Sequence, residues 1–216
     1  MTDNSKNNLV LIGSGGHASV VASLSKTIGL KIKFIAVPFA ITGQDALSDV
    51  EYLADDDLMN VRNKQDYILL NGVGQKIRCN LRADIFSKFK SKGFEFQKIV
   101  HPSSYVDPSS KVFEGAQVMA GAVIQNDCVI GENSIINTNA TIDHGSKIGN
   151  SCHVAPGAVV CGDVLMGNNC FIGAGAVIRD KVSITNHVTI GAGAVVVKDI
   201  TESGTYAGNP AKRLKE

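Results

Sequence analysis

The sequence predicts two folds in succession: an α/β domain with a parallel sheet over residues 1–100, and a parallel β-helix over residues 101–216. Two observations give this division. In the first part, apolar strand-like segments alternate with helix-like segments, which is typical of α/β folds. In the second part, every sixth residue from Val106 to Val196 is apolar, which is the spacing of a hexapeptide β-helix repeat.

The elements of the first part follow from its apolar segments and their periodicity. Strands are predicted at residues 8–12, 31–37, 67–70 and 94–100. The first strand is followed by a helix with apolar residues at helical spacing. Residues 75–92 form a second amphipathic helix, which Gly93 closes. Strands that alternate with helices in this way predict a small parallel sheet.

Two glycine-rich segments follow the first and third predicted strands. They are Gly13-Ser14-Gly15-Gly16-His17 and Asn71-Gly72-Val73-Gly74. A glycine turn that leads into a helix presents backbone N–H groups and a positive dipole end, which suits phosphate. Both segments lie at carboxyl ends of strands, where open α/β sheets bind ligands. The full dinucleotide fingerprint is missing, so a tight turn without a ligand stays an alternative to a phosphate site.

Sixteen positions spaced six residues apart are all apolar, and all but Met166 are β-branched. They are Val106, Val112, Val118, Ile124, Ile130, Ile136, Ile142, Ile148, Val154, Val160, Met166, Ile172, Ile178, Ile184, Ile190 and Val196. One large inward side chain in every six residues predicts a three-sided coil of eighteen residues. Residues 104–199 then form about five coils stacked at ~4.8 Å.

Two other phases of the repeat support this coil. Residues two positions before each apolar position are mostly small, as a crowded corner requires. Residues three positions after it are often Gly, Asn or Asp, which tolerate positive φ. Cys128, Cys152 and Cys170 fall in the small-residue phase. We therefore interpret these cysteines as core residues rather than as catalytic thiols.

Composition excludes several classes of function. The net charge of +1 is spread along the chain, which leaves no basic field for nucleic acid and no polybasic membrane patch. There is no stretch of 18 apolar residues, and the polar start of the chain is not a signal peptide, so we expect a cytoplasmic protein. Five cysteines without CxxC pairs argue against a disulfide framework or a structural zinc site.

Taken in order, the motifs resemble those of the NeuD/PglD-like sugar acetyltransferases, which are left-handed β-helix hexapeptide-repeat transferases. The segments that carry the resemblance are 13–17, 72–74 with Arg78, 101–103, 137–144, 152–157 and 208–212. The resemblance implies a Rossmann-like sugar-nucleotide-binding domain, followed by a left-handed β-helix that binds acetyl-CoA and a short C-terminal tail. The left-handed sense of the β-helix is implied by the resemblance alone, because parallel crossovers are generally right-handed.

The resemblance implies N-acetylation of a UDP- or GDP-linked 4-amino sugar in bacterial glycan synthesis, by direct transfer from acetyl-CoA without a metal. It implies the general base His144, with Asp143 and Asn137 in the active site; an imidazole can accept a proton from an amine near neutral pH. The implied acetyl-CoA contacts are His153, Gly162, Ala174, Ala192 and Lys212. The implied sugar-nucleotide contacts are Gly13, Ser14, Gly15, His17, Gly72, Gly74 and Arg78. The family pattern also implies a homotrimer with active sites between subunits.

Two positions depart from the family pattern. His144 is followed by Gly145, where many amino-sugar N-acetyltransferases carry Glu or Asp. The second strand ends in Ala36-Val37-Pro38, where related sequences often have two aspartates. O-acetylation of a sialic-acid-like sugar therefore stands as the alternative reaction.

Two further classes of function are considered. A zinc-dependent, carbonic anhydrase-like enzyme would need three convergent histidines, but His187 lies ~10 Å along the stack from His153, too far for one zinc ion within a subunit. A sugar-nucleotide-binding scaffold without enzymatic activity is the other alternative. The tandem of a nucleotide-type domain and a cofactor-type domain argues against it.

Overall fold

The computed structural model describes residues 8–38, 50–75 and 79–214, and the chain divides into two compact units. The N-terminal unit contains residues 1–74 and 81–97, and the C-terminal unit contains residues 75–80 and 98–216. In the described parts of the chain, no helix is long and apolar enough to cross a bilayer.

The N-terminal unit is a five-stranded parallel sheet with helices, as predicted. Its elements are β1 (Asn8–Ile12), α1 (Gly16–Thr27), β2 (Ile32–Val37), β3 (Glu51–Ala54), α2 (Asp55–Met59), a 3-10 turn (Lys64–Asp66), β4 (Tyr67–Asn71), α3 (Leu81–Ser91) and β5 (Glu95–Phe96). The strand order is β3-β2-β1-β4-β5, so the chain crosses from one side of β1 to the other between β3 and β4. This Rossmann-like order places the carboxyl ends of β1 and β4 side by side.

Three details of this unit differ from the prediction. Strand β3 was not predicted, because Glu51–Ala54 is too short and too mixed in polarity to show a period. The acidic residues 55–57 are compatible in sequence with a helix start or an exposed loop, and they begin helix α2. Helix α3 begins at Leu81 rather than at residue 75, and residues 76–78 lie outside the described part of the chain. The single strand predicted at residues 94–100 is wrong: β5 pairs with β4, whereas Ile99–Val100 pairs with the first coil of the β-helix.

The C-terminal unit is a left-handed β-helix with three parallel sheets, which we number as faces. Face 1 contains β6 (Ile99–Val100), β9 (Gln117–Val118), β12 (Ile135–Ile136), β15 (His153–Val154), β18 (Phe171–Ile172), β21 (Val188–Ile190) and β23 (Gly204–Ala207), with antiparallel β24 (Lys212–Arg213) at its end. Face 2 contains β7 (Tyr105–Val106), β10 (Val123–Ile124), β13 (Thr141–Ile142), β16 (Val159–Val160), β19 (Val177–Ile178) and β22 (Val195–Val196). Face 3 contains β8 (Lys111–Val112), β11 (Val129–Ile130), β14 (Lys147–Ile148), β17 (Leu165–Met166) and β20 (Ser183–Ile184).

The six-residue period fills the core of this helix as predicted. Of the sixteen apolar positions, only Val106 and Val112, near the N-terminal end, are partly exposed, and the rest are buried. The predicted turn residues also adopt positive φ, for example 58° at Asp163 and 68° at Gly145. Three corners join the faces, and we name them after one residue each. The Asn137 corner joins faces 1 and 2, the His144 corner joins faces 2 and 3, and the Asn150 corner joins faces 3 and 1.

Serines in the small-residue phase connect successive coils by hydrogen bonds. The hydroxyl of Ser134 donates to the carbonyl of Gly149 at 2.8 Å and accepts the N–H of Cys152 at 2.9 Å. Ser110 and Ser146 repeat both contacts. The thiols of Cys128, Cys152 and Cys170 contact carbonyls fifteen residues later at 3.0–3.1 Å. The three cysteines are therefore core residues, as predicted, and they also bond one coil to the next.

We expect Ser134→Ala to destabilise the β-helix by about 1–3 kcal/mol, because it leaves a buried N–H and a buried carbonyl without their partner. Thermal and urea unfolding followed by circular dichroism measure the effect. Ser134→Cys is the matched control, since cysteine makes the carbonyl contact at this phase in other coils, and it should lose clearly less. Equal losses in the two variants would contradict the role given to the hydroxyl.

Candidate functional site

The first glycine loop begins where β1 ends. Gly13 has φ 92°, and its N–H donates to the carbonyl of Ala36 at 2.8 Å, which turns the chain away from the sheet. Ser14 is buried, whereas Gly15 and Gly16 are exposed at the start of α1. The N–H groups of the first helical turn have no acceptor within the helix, and the dipole adds positive potential there. This loop offers the geometry of an anion site, as predicted.

The second glycine loop packs against the first. The N–H of Gly72 donates to the carbonyl of Ile12 at 2.8 Å. A Cβ on Gly72 would lie 2.7 Å from that carbonyl oxygen and 2.9 Å from Cβ of Ala18, so only glycine fits. A Cβ on Gly74 would lie 3.2 Å from Cβ of His17. The structure therefore brings the predicted nucleotide residues together at the carboxyl ends of β1 and β4. Arg78 lies outside the described residues.

A buried arginine supports the second loop and was missed by the sequence analysis. The guanidinium of Arg82 donates to the carbonyl of Asn71 at 3.0 Å and to that of Val73 at 2.7 Å. The amide of Asn71 donates back to the carbonyl of Arg82 at 3.1 Å. Burial lowers the pKa of the Arg82 guanidinium to about 9, which leaves it charged at neutral pH. No local sequence signal indicates the burial of Arg82.

The Asn137 corner carries one group of candidate residues. The side-chain oxygen of Asn137 accepts the N–H of Thr138 at 2.8 Å, so its amide nitrogen faces Nε2 of His153 at 3.0 Å. Because an amide nitrogen only donates, Nε2 of His153 accepts, and the ring is the neutral Nδ1–H tautomer. The His153 ring is buried and meets Phe171 edge to face at 5.1 Å. Asn137 is thus a direct partner of His153.

Other predicted cofactor residues follow this corner toward the C-terminal end. Ala174 and Ala192 are exposed in successive coils, and each lies two residues after the end of a face 1 strand. Lys212 is exposed in β24, which pairs with β23 at the end of face 1. Four of the five predicted acetyl-CoA contacts therefore lie on face 1 or at the Asn137 corner. Gly162 is the exception.

The His144 corner carries the remaining candidates. His144 is exposed at its turn, and its imidazole packs on Gly162 of the next coil. A Cβ on Gly162 would collide with the ring, Nε2 being only 2.5 Å from that position. The carboxylate of Asp143 accepts the backbone N–H of His144 at 2.8 Å, so Asp143 fixes the turn. Burial first, and then the charges of Asp143 and Asp180, raise the pKa of the neighbouring Cys161 thiol, which argues against a thiolate nucleophile here.

Within one chain, the candidates form two groups at neighbouring corners. Asn137 and His153 lie at one end of the face 2 strands, and His144 and Gly162 lie at the other. The residues that point outward from face 2 between them are uncharged and mostly apolar. They are Tyr105, Val123, Thr141, Val159, Val177 and Val195. Asn137 and His144, which the resemblance implies for one active site between subunits, therefore lie at different corners of a single chain.

His187 lies at the third corner, away from both groups. It is exposed at a turn with φ 58°, as the sequence analysis expected. It borders a polar cavity of about 320 Å³, which Asn169, Thr189, Thr205 and Arg213 also line. The guanidinium of Arg213 pairs with Glu202 at 2.9 Å. No three histidine, cysteine or carboxylate side chains in the described part of the chain converge to hold a metal ion.

The chain is similar to known acetyltransferases over nearly its whole length. The family described as bacterial transferase hexapeptide (six repeats) matches residues 109–144, 145–180 and 163–198. The acetyltransferase domain of PglB from Neisseria gonorrhoeae, also solved with acetyl coenzyme A, is 33% identical with a TM-score of 0.85; the match covers 96–97% of this chain and 100% of that one. A histidine variant of perosamine N-acetyltransferase from Caulobacter crescentus, in complex with CoA and GDP-perosamine, is 33% identical over 97% of this chain and 98% of that one, with a TM-score of 0.87.

A more distant protein shares the fold. WeeI from Acinetobacter baumannii is 20% identical over 96% of this chain and 99% of that chain, with a TM-score of 0.83. No curated protein sequence matches significantly.

We expect Gly72→Ala to lower the thermal unfolding midpoint, with a cost of about 1–3 kcal/mol, because the added methyl group overpacks a rigid backbone contact. Gly16→Ala is the matched control: nothing lies within 4 Å of its Cβ, and φ there is not positive. Differential scanning fluorimetry compares the two. A Gly72→Ala midpoint equal to that of Gly16→Ala would contradict the close approach of the two loops.

Proposed function

Since the chain belongs to the NeuD/PglD-like hexapeptide-repeat acetyltransferases, we propose that it transfers the acetyl group of acetyl-CoA to the amino group of a nucleotide-linked amino sugar of the UDP- or GDP-4-amino-sugar type. One observation carries the proposal: 33% identity over almost the full length of an enzyme whose structure holds both CoA and GDP-perosamine. The similarity extends over the N-terminal unit as well as the β-helix. This chain therefore has a counterpart of the whole enzyme that binds the two substrates.

The nucleotide would bind at the two glycine loops. The exposed N–H groups at the start of α1 suit a diphosphate. The close packing of Gly72 on the end of β1 brings the second loop to the same sheet edge as the first. The carboxyl end of β2 offers Val37 and Pro38, so recognition of the ribose and base there would not use a carboxylate from these two residues.

His144 would act as the general base. Its exposed imidazole takes the proton from the sugar amine as the nitrogen attacks the thioester carbonyl. The tetrahedral intermediate then collapses with cleavage of the C–S bond, and the imidazolium returns the proton to the CoA sulfur. An acetyl thioester needs no covalent enzyme intermediate, which agrees with the raised pKa of Cys161.

Acetyl-CoA would run along the Asn137 corner, past His153, Ala174 and Ala192. The coil turns at the two alanines leave an open surface, because their side chains are small and exposed. His153 is held neutral by the Asn137 amide, so its Nδ1–H is a fixed donor in a buried position.

The two corners would meet across a subunit interface. If the uncharged face 2 of each subunit faces a three-fold axis, the His144 corner of one subunit lies beside the Asn137 corner of the next. Such an interface joins two different surfaces of identical subunits and closes into a ring. Each of three equivalent sites then combines His144 and Gly162 of one chain with Asn137 and His153 of its neighbour.

We expect His144→Ala to lower kcat for acetyl transfer by at least about 100-fold, because a general base contributes ~10²–10⁴-fold. The measurement is CoA thiol release with UDP-, GDP- and dTDP-amino sugars and with sialates as acceptors. His187→Asn is the control: asparagine tolerates the positive φ, and activity should be unchanged. Full activity of His144→Ala would exclude it as the base, and transfer only to sialate hydroxyls would replace N-acetylation with O-acetylation.

We expect two inactive variants to restore each other when mixed. His144→Ala damages one corner and Asn137→Ala the other, so co-refolded mixed trimers contain intact sites made from the two undamaged corners. Random mixing of equal amounts should restore about one quarter of the wild-type sites. Mixing either variant with itself is the control. No recovery in trimers shown by mass spectrometry to be mixed would contradict a site between subunits.

A further inference from the structure

The turn that carries His144 has an acidic side chain stacked on it from the next coil. Asp163 lies eighteen residues after Gly145, and its N–H donates to the carbonyl of His144 at 2.8 Å. A Cβ on Gly145 would collide with Oδ1 of Asp163. The carboxylate of Asp163 therefore fills the space that a side chain at position 145 would need.

The imidazole and this carboxylate extend toward each other's coil. The ring of His144 reaches onto Gly162, and the carboxylate of Asp163 reaches back onto Gly145. Since 144 and 145 are adjacent in one turn, and 162 and 163 in the next, the two side chains occupy neighbouring columns of one corner. Both positions they reach onto are glycines, and a side chain at either would displace its partner.

We infer that Asp163 is a positioning residue for His144: its carboxylate supplies the negative charge that stabilises the imidazolium formed when His144 takes a proton. The inference rests on the proposed function, in which that proton comes from the acceptor amine. A stabilised imidazolium makes the neutral ring a stronger base, which favours proton transfer from a weakly acidic group.

Asp163 differs from the other charged and titratable groups of this corner. Those groups are Asp127, Asp143, Cys161, Arg179, Asp180 and Lys181. The carboxylate of Asp143 is engaged by the backbone N–H of His144, and that of Asp127 accepts the Asn126 amide at 3.0 Å in the coil before. Asp180 and Lys181 lie in the coil after Asp163 and carry opposite charges. Asp163 differs from them because the three atoms nearest to a Cβ at position 145 all belong to it.

Asp163→Asn removes the charge with little change of shape, and Asp127→Asn is its matched control. Both aspartates have φ 58° in the same column of the corner. Asparagine accepts this conformation, as Asn133, Asn139 and Asn169 do in the native chain. The two variants should therefore fold equally well and have the same thermal unfolding midpoint within error.

The first readout needs no substrate. The ring proton of His144, assigned with a His144→Gln variant, is titrated by NMR in wild type and both variants. Loss of a nearby negative charge destabilises the imidazolium, so Asp163→Asn should move the titration midpoint to lower pH. Asp127→Asn should move it clearly less. Equal midpoints in the two variants would overturn the inference.

The second readout is kinetic. Asp163→Asn should lower kcat about 3- to 10-fold with KM for acetyl-CoA unchanged, a fraction of the ~10²–10⁴-fold effect of the base itself. The acid limb of its pH–rate profile should move in the same direction as the NMR midpoint. A fall in kcat with an unmoved profile and midpoint would mean a structural role only, and would also overturn the inference.

An exchange of the two residues is the rescue experiment. The double variant Gly145→Asp, Asp163→Gly moves the carboxylate from one coil to the neighbouring coil of the same corner. Both residue types accept positive φ. The double variant should recover most of the midpoint and of kcat. No recovery of the midpoint would count against the carboxylate as the cause. If wild type acetylates no nucleotide sugar, the proposed function fails while the NMR comparison still decides the role of Asp163.

Discussion

Each coil of the β-helix is held in an eighteen-residue register with the next, and this constraint governs the rest of the C-terminal unit. Backbone N–H groups bond to carbonyls of the following coil along all three faces, and at the corners they bond to carbonyls of the preceding coil, for example Asp163 to His144 and Gly145 to Asn126. Every residue therefore stacks on the one eighteen positions away. The surroundings of a corner side chain are therefore set mainly by the residue above or below it in the stack, and less by its neighbours in sequence.

The register separates residues that hold the fold from residues that are free for chemistry. Inward-pointing side chains pack in the core. The serines and cysteines of the small-residue phase hydrogen-bond to the next coil. The corners carry the exposed side chains, and there a glycine in one coil makes room for a functional side chain in another. Gly162 under the His144 ring is one case, and Gly145 under the Asp163 carboxylate is a second. A side chain at either glycine would displace its partner.

The sequence was sufficient for most of the fold and for placing the two glycine loops at the carboxyl ends of β1 and β4. The repeat fixed the core positions because one inward side chain per strand leaves no alternative phase. The pattern stops after Val196 because the last coil is two residues shorter: Ile184 bridges Ile200, and Val188 pairs with Gly204, sixteen positions later in each case. In the N-terminal unit, the edge strand Glu51–Ala54 buries too little to impose a period. Arg82 was missed because its partners are backbone carbonyls, which have no sequence signature.

The relation between Asn137 and His144 could not be derived from one chain, because they occupy different corners. The same eighteen-residue register explains why. Asn137 precedes strand β13 of face 2 and His144 follows it, so the two residues lie at opposite ends of that strand. Two half-sites on opposite edges of an uncharged face are what a ring of identical subunits requires, since each subunit must present one half to each neighbour. A single-chain active site would instead have placed its base and its cofactor contacts in one column. Their separation thus follows from the coil geometry, and it ties catalysis to assembly in the proposed enzyme.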